Sequence, residues 1–427
     1  MNIVKTSFLS AIETAIKLAS GFVVIKFIAT QVGPEGVAFF GQFQNFIAAF
    51  VILVTGGFTT GLVRYSAQEK SGNNDTNNYL GNALGLGLLA ALVVGGGICL
   101  FAPQLSMLIL KSPEYTNIFY LLALCGVLIM IFQVLVAVFN GWGELPILIT
   151  YKSISSILLL LSSLLLVSFY GLYGGLIALI AMQALSAFIG IGFITRLKDF
   201  RWGWLKPTFN FAIFKEFLPY WLMSFVTLIS TPLILMLVRS GIATNLGWEA
   251  AGIWEASWKL SELYLLVITT ALMTYYVPKL SQAENKFTEL DIVKEVLFLG
   301  VVSACVLAAG IYLFRHWIVS LLFSESFAVV SDILAFQLIG SVIKIAAWVF
   351  AYHMLVKRRT AVFLISELLF GTSFYLFSCF FLDKVGLIGL SYAYAVNYSL
   401  YLIFCLFYFM INQNFPIIGQ LTLKTKL

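Results

Sequence analysis

Lys17, Lys26, Lys259 and Lys344 each stand inside apolar stretches long enough to cross a bilayer. A charged side chain at membrane depth costs about 2.5 kcal/mol or more, so such residues generally face a polar cavity, pair with an acid or reach an interface. Four ammonium groups in such positions suit the holding of an anion that must leave water. Acids accompany them: Glu13 one turn before Lys17, Glu255 and Glu262 on either side of Lys259, and Glu367 in a later stretch. At about 100° per residue, positions 255, 259 and 262 share one helical face, a charged stripe that must look into protein or water. That stripe reads either as self-neutralised structural glue or as a cavity wall. Gln337 and Lys344 share a face with Gly340, and Lys344 has no acid within a turn of its own helix to neutralise it. Lys26 lies on nearly the opposite side of a straight helix from Lys17, so both reach one cavity only if that helix bends, which Gly21 between them could permit. Lys26 otherwise snorkels to the interface.

The stretches that must position these residues are membrane spans. With 61% hydrophobic and only 10% charged residues, the 427-residue chain has the composition of an all-α polytopic membrane protein. Apolar runs of about 20 residues fall at 7–31, 37–62, 80–101, 117–139, 147–169, 172–195, 213–240, 251–280, 293–314, 332–356, 361–382 and 386–411, giving about twelve spans. Most of the 25 Lys and Arg residues lie in alternate connections and at the two ends, among them Arg64, Arg196, Lys206, Lys279, Lys357 and Arg359. Cations are retained on the cytoplasmic side, so both termini are expected there. The net charge of +6 is thereby a topology signal with lipid headgroups as partners, and nucleic acid is not called for. Arg64, at the cytoplasmic end of span two, is a site candidate that topology alone also explains. Arg239 falls in an outer connection, and Trp254 and Trp258 read as outer interfacial anchors.

Other chemistries are excluded by what the chain lacks. There is no GxxxxGK[ST] loop, HExxH, GxSxG or CxxC motif, so ATP hydrolysis within the chain and a recognisable catalytic constellation are set aside. The five cysteines are scattered through apolar runs, so neither disulfides nor zinc are expected, and no cofactor is called for.

Shifted by about 214 residues, the chain matches itself. TGLVRYSAQ resembles TYYVPKLSQ, LFAPQLSMLIL resembles LFRHWIVSLLF, and GLYGGLIA from Gly171 resembles GLIGLSYA from Gly386. An even number of spans separates the copies, so the repeats run the same way through the membrane, as in alternating-access transporters with a site between two halves. The expected organisation is a six-helix lobe at 1–200 and a second at 201–427, joined by a basic, Trp-bearing linker at about 196–212, with one chain sufficient for a complete path.

Several stretches resemble the Wzx-type oligosaccharide-lipid flippases of the multidrug/oligosaccharidyl-lipid/polysaccharide (MOP) exporter superfamily, nearest to those of enterobacterial common antigen synthesis. They are the first span with Lys17, Gly21 and Lys26, GPEG at Gly33 to Gly36, RYSAQ from Arg64, GIW from Gly252, the Ser261 to Tyr264 region, VPKLSQ from Val277 and FQLIGSVIK from Phe336. The resemblance runs over nearly the whole chain. It implies two pseudo-symmetric six-helix bundles in a bacterial inner membrane and transfer of undecaprenyl-diphosphate-linked repeat units from the cytoplasmic to the periplasmic leaflet, beside other glycan-assembly membrane proteins. Gln44 stands where that branch would have a basic residue, so an O-antigen unit and the common-antigen unit both remain as cargo. On this reading Lys17, Lys26, Arg64, Lys259 and Lys344 hold the diphosphate, Gln337 adds a polar contact, and Glu13, Glu255, Glu262 and Glu367 compensate the lysines or couple an ion. The competing reading is an ion-coupled drug antiporter of the same superfamily.

Overall fold

A computed structural model describes residues 3–55, 58–71, 79–197, 202–282, 286–357 and 359–414. Among them the chain is helical throughout, because in a lipid-facing chain only a helix satisfies every backbone N–H and C=O within its own segment. In order the helices are α1 (Ile3–Thr55), α2 (Thr59–Ser71), α3 (Tyr79–Leu110), α4 (Thr116–Gly141), α5 (Leu145–Ile194), α6 (Phe211–Leu246), α7 (Trp248–Ala271), α8 (Val277–Ser281), α9 (Lys286–Leu313), α10 (Arg315–Leu322), α11 (Val330–Val356), α12 (Thr360–Val385) and α13 (Gly389–Asn414).

The expected spans fall on these helices, two of them on α1 and two on α5. Seven helical stretches are long and apolar enough to cross a membrane, and three of them, Ile12–Thr55, Leu145–Ile194 and Ala361–Ile411, run well past the length one crossing needs. Each of the three contains a glycine at positive φ where the chain reverses: Gly33 (75°), Gly171 (56°) and Gly386 (69°). L-residues with a side chain are disfavoured there by about 1–2 kcal/mol, so the glycines set the span ends. At the first, Pro34 opens the following helix, a position where its missing N–H costs nothing. α7 falls short of the hydropathy expected of a span because Glu249, Glu255, Lys259 and Glu262 lie within it. Span eight itself is α7, a widened turn at Leu272–Tyr276, and α8.

The repeat reappears as backbone geometry. Gly33 and Gly247 (φ 90°) are equivalent under the shift, as are Gly171 and Gly386. A Cβ on Gly174 would overlap the carbonyl oxygen of Leu166, and one on Gly389 would overlap that of Phe381. All four pairs are about 215 residues apart, so both copies close their last hairpin by the same contact.

Packing divides the chain into two compact units, Met1–Ser240 with Leu322–Ser326, and Gly241–Leu321 with Phe327–Leu427. In the first, α1 packs on α5 and α3, while α4 lies against α3 and α5. The segment before α6 is tied to α3, since Thr208 N–H donates to the Gly81 carbonyl at 2.9 Å and Asn210 N–H to Asn82 Oδ1 at 2.6 Å. In the second, α11 is central, packing on α13, α9 and α7, and α12 packs on α13. The sequence pattern restarts in the 196–212 linker, whereas packing changes inside α6; the two boundaries report different properties of the chain.

Candidate functional site

The first unit carries Glu13, Lys17, Lys26 and Arg64. α1 departs from helical backbone angles only at Gly33, so the kink that Gly21 could permit is not made. A helix unbroken through Gly21 holds Lys17 and Lys26 on nearly opposite sides. Both are exposed, and among the described residues no ion pair joins Glu13 to Lys17. Arg64 is exposed, with its guanidinium 6.0 Å from the ring centre of Tyr65.

Arg239 departs from its expected interfacial place. It is fully buried within α6 and donates to Gln42 Oε1 at 2.6 Å, while the Gln42 amide donates to Ser240 Oγ at 3.2 Å. A buried guanidinium needs such acceptors, because an unpaired one would cost several kcal/mol. No sequence pattern pairs residues so far apart, which is why this contact escapes a reading of the chain alone.

The second unit gathers the remaining candidates around Lys344. Its helix, α11, approaches α13 closely because Gly340 offers no side chain: a Cβ there would stand 2.5 Å from Tyr394 Cδ1 and 3.0 Å from Ala395 Cα. Small residues permit such backbone approach between membrane helices. The result is an ammonium surrounded by rings, with Lys344 Nζ 4.8 Å from the centre of Trp348, 4.9 Å from Tyr398, 5.7 Å from Tyr394 and 5.8 Å from Trp258. Ring faces attract a cation by about 2 kcal/mol or more once water is removed, which lets Lys344 remain charged at 8% exposure.

Beside it runs the stripe on α7. Lys259 Nζ lies 3.4 Å from Glu262 and 3.8 Å from Glu255. Glu255 is buried, Lys259 half-buried, and the Glu262 side chain keeps 44% exposure. The stripe therefore grades from interior to open surface. Trp254 and Trp258 are buried, against their expected role as interfacial anchors, and Trp258 stacks toward Tyr394 and Phe374. Glu367 on α12 accepts from the Tyr401 hydroxyl at 2.9 Å, and Tyr401 neighbours Tyr398. Gln337 is 1% exposed, and neither end of its amide forms a hydrogen bond among the described residues.

One further cluster escapes the spacing of the sequence. Glu289 on α9 bonds His353 on α11 and, at 2.5 Å, Lys357 just past the end of α11, with His353 buried edge-on to Phe409. His353 thus belongs to an interhelical pair.

The profile described as "Polysaccharide biosynthesis protein" matches residues 3–284. The chain belongs to the polysaccharide biosynthesis protein family. This family member is 26% identical to the lipid III flippase of Escherichia coli (strain K12) over 412 residues, covering 95% of the chain and 97% of that protein, and equally to the lipid III flippase of Shigella flexneri. Its fold is similar to that of the lipid II flippase MurJ in an inward closed conformation, with a TM-score of 0.76 at 16% identity, covering 97% of this chain and 88% of that one. It is also similar to an inward-facing multidrug resistance MATE family transporter of the MOP superfamily, with a TM-score of 0.72 at 17% identity and coverage of 93% and 94%. The family member therefore has the MOP-superfamily fold, an all-α integral membrane architecture of twelve helices.

Proposed function

We propose that this protein moves undecaprenyl-diphosphate-linked oligosaccharide from the cytoplasmic to the periplasmic leaflet of a bacterial inner membrane by alternating access, as a transporter and not an enzyme. The full-length similarity to lipid III flippases supports the substrate class, and the ring-bound ammonium of Lys344 is the observation that carries the site. A diphosphate crossing the membrane loses its hydration, and a fixed cation replaces it: unit charges about 4 Å apart attract by about 4 kcal/mol at an effective dielectric of 20. An ammonium supplies that attraction without the rigid bidentate fork of arginine, so the anion is held and then released.

In this reading Lys344 is the principal anion contact, and Lys259, Lys17, Lys26 and Arg64 are further points on the path. Glu255 and Glu262 neutralise Lys259 in the unloaded state, Glu13 and Glu367 are the remaining acids available for ion coupling, and Gln337 offers its amide to the glycan. The lobes are taken as 1–200 and 201–427, with both termini cytoplasmic. A single chain carries both lobes and works as a monomer. The cargo is an O-antigen unit or the common-antigen unit. The acids on α7 and α12 and the MATE likeness favour a second reading, a drug antiporter.

The deciding experiment is complementation in a strain whose surface glycan depends on this protein. Lys344→Met, which keeps the chain's length and apolar stem, is expected to abolish surface glycan and accumulate the lipid-linked unit while the protein inserts normally. Full complementation by that variant would remove Lys344 from the mechanism, and drug resistance conferred without glycan export would favour the antiporter.

A further inference from the structure

The four rings around Lys344 are not alike. Trp258 and Tyr394 are buried, at 6% and 1% exposure, and lie farther from the ammonium, at 5.8 and 5.7 Å. Trp348 and Tyr398 are half-buried, although they are the two rings nearest the ammonium. Trp348 follows Lys344 by one turn of α11, and Tyr398 follows Tyr394 by one turn of α13. Tyr352, also half-buried, extends the ring surface by another turn, with its centre 6.0 Å from Trp348.

We propose that Trp348 and Tyr398 form a carbohydrate-stacking rim on Lys344 that takes the pyranose joined directly to the diphosphate. The inference rests on Lys344 holding that diphosphate and deepens it by naming what lies next to the anion.

Rings turned to lipid would bring a buried ammonium to the hydrocarbon with them, at high cost, so these faces look onto the same polar space as the lysine. A pyranose suits that space, since one face is lined with weakly positive C–H hydrogens and its edge carries hydroxyls. The negative π-face of an aromatic ring attracts the first, and the Tyr398 hydroxyl bonds the second. Distance agrees with chemistry. A phosphate oxygen hydrogen-bonded to Nζ sits about 2.8 Å from it, so a sugar attached to that phosphate falls over rings centred 4.8 and 4.9 Å from the same nitrogen. The arrangement makes one site read two parts of the cargo: charge by Lys344, and the presence of a sugar by the rim. Bare prenyl diphosphate would satisfy only the first.

The test uses the full chain in nanodiscs and two probes, undecaprenyl diphosphate and the same lipid carrying a single N-acetylglucosamine. The wild type is expected to bind the glycosylated probe more tightly. Trp348→Leu combined with Tyr398→Leu should reduce that affinity by about tenfold or more, the scale of aromatic stacking on a planar partner, and weaken the bare probe by less, since both rings also neighbour the Lys344 ammonium. Trp348→Phe, which preserves packing, should lose part of the preference and covers the case in which the double variant does not fold. Equal weakening of both probes, or of neither, overturns the rim. Lys344→Met is the separate arm: it should weaken both probes, and if it weakens neither, the anion assignment fails whatever the rings do.

Discussion

Replacing Gly340 by Ala should strain the contact that builds the Lys344 site. The added Cβ would stand 2.5 Å from Tyr394 Cδ1 and 3.0 Å from both Tyr394 Cε1 and Ala395 Cα, whereas ordinary contact begins near 3.4 Å. Tyr394 has nowhere to swing, because it is enclosed by Trp258 at 5.4 Å, Phe374 at 6.0 Å and Tyr398 at 4.7 Å between ring centres. The α13 backbone must therefore retreat from α11 by something approaching 1 Å, and overpacking of this kind costs about 1–3 kcal/mol. Against that stands a gain of about 1 kcal/mol for Ala over Gly in a helix interior. The net is a loss of up to about 2 kcal/mol, the difference of those two terms. Gly310 in α9 is the control, since a Cβ there meets nothing within 4 Å, and Gly310→Ala should stabilise by up to about 1 kcal/mol. Thermal unfolding of the two purified variants in one detergent should place their midpoints on opposite sides of the wild type. If Gly340→Ala unfolds at or above the temperature of Gly310→Ala, the close approach of α11 and α13 is not the structural basis of the site.

Gly171→Ala and Gly386→Ala should each lower stability by about 1–2 kcal/mol, from the positive φ at both hairpins; matching shifts in unfolding midpoint would establish the two turns as repeats, and unequal ones would not. Gln42→Ala removes an acceptor of the buried Arg239 guanidinium and should cost about 1.5–3 kcal/mol, measurable by the same unfolding assay, with a neutral result refuting the pairing. Glu289→Leu leaves His353 and Lys357 without their shared carboxylate and should be the most destabilising single change among the charged residues, about 3–5 kcal/mol, while Glu295→Leu at the exposed Lys279 pair should lie close to wild type in unfolding midpoint. Gln337→Leu removes a buried amide without hydrogen-bond partners, so stability should hold or rise while complementation falls; lowered stability would show that the amide serves the fold.

The membrane class, the twelve spans and the repeat were legible because each depends on a local property of the chain. A span is a run of about 20 apolar residues, and a repeat is a pattern compared with itself. Positive-φ glycines lay inside matched motifs for the same reason, as at Gly171 and Gly386. The charged stripe at Glu255, Lys259 and Glu262 was also readable, since helical phase alone puts those residues together. Phase also left the first helix open: a bend at Gly21 would bring Lys17 and Lys26 to one side, and α1 keeps helical backbone angles there. Flexibility of a residue does not compel a kink, and the helix keeps its backbone bonds unless something else requires them broken. Neither could local pattern bring Arg239 to Gln42, Glu289 to His353, or the rings of α7 and α13 to Lys344. Those meetings join residues far apart in sequence, and they depend on which helices pack and how closely, down to the missing side chain at Gly340. The sequence by itself determined where charge enters the membrane. Only the tertiary structure decided which charge is paired with an acid, which bonds an amide and which lies among aromatic rings, because that choice is made by the neighbours each helix acquires on packing.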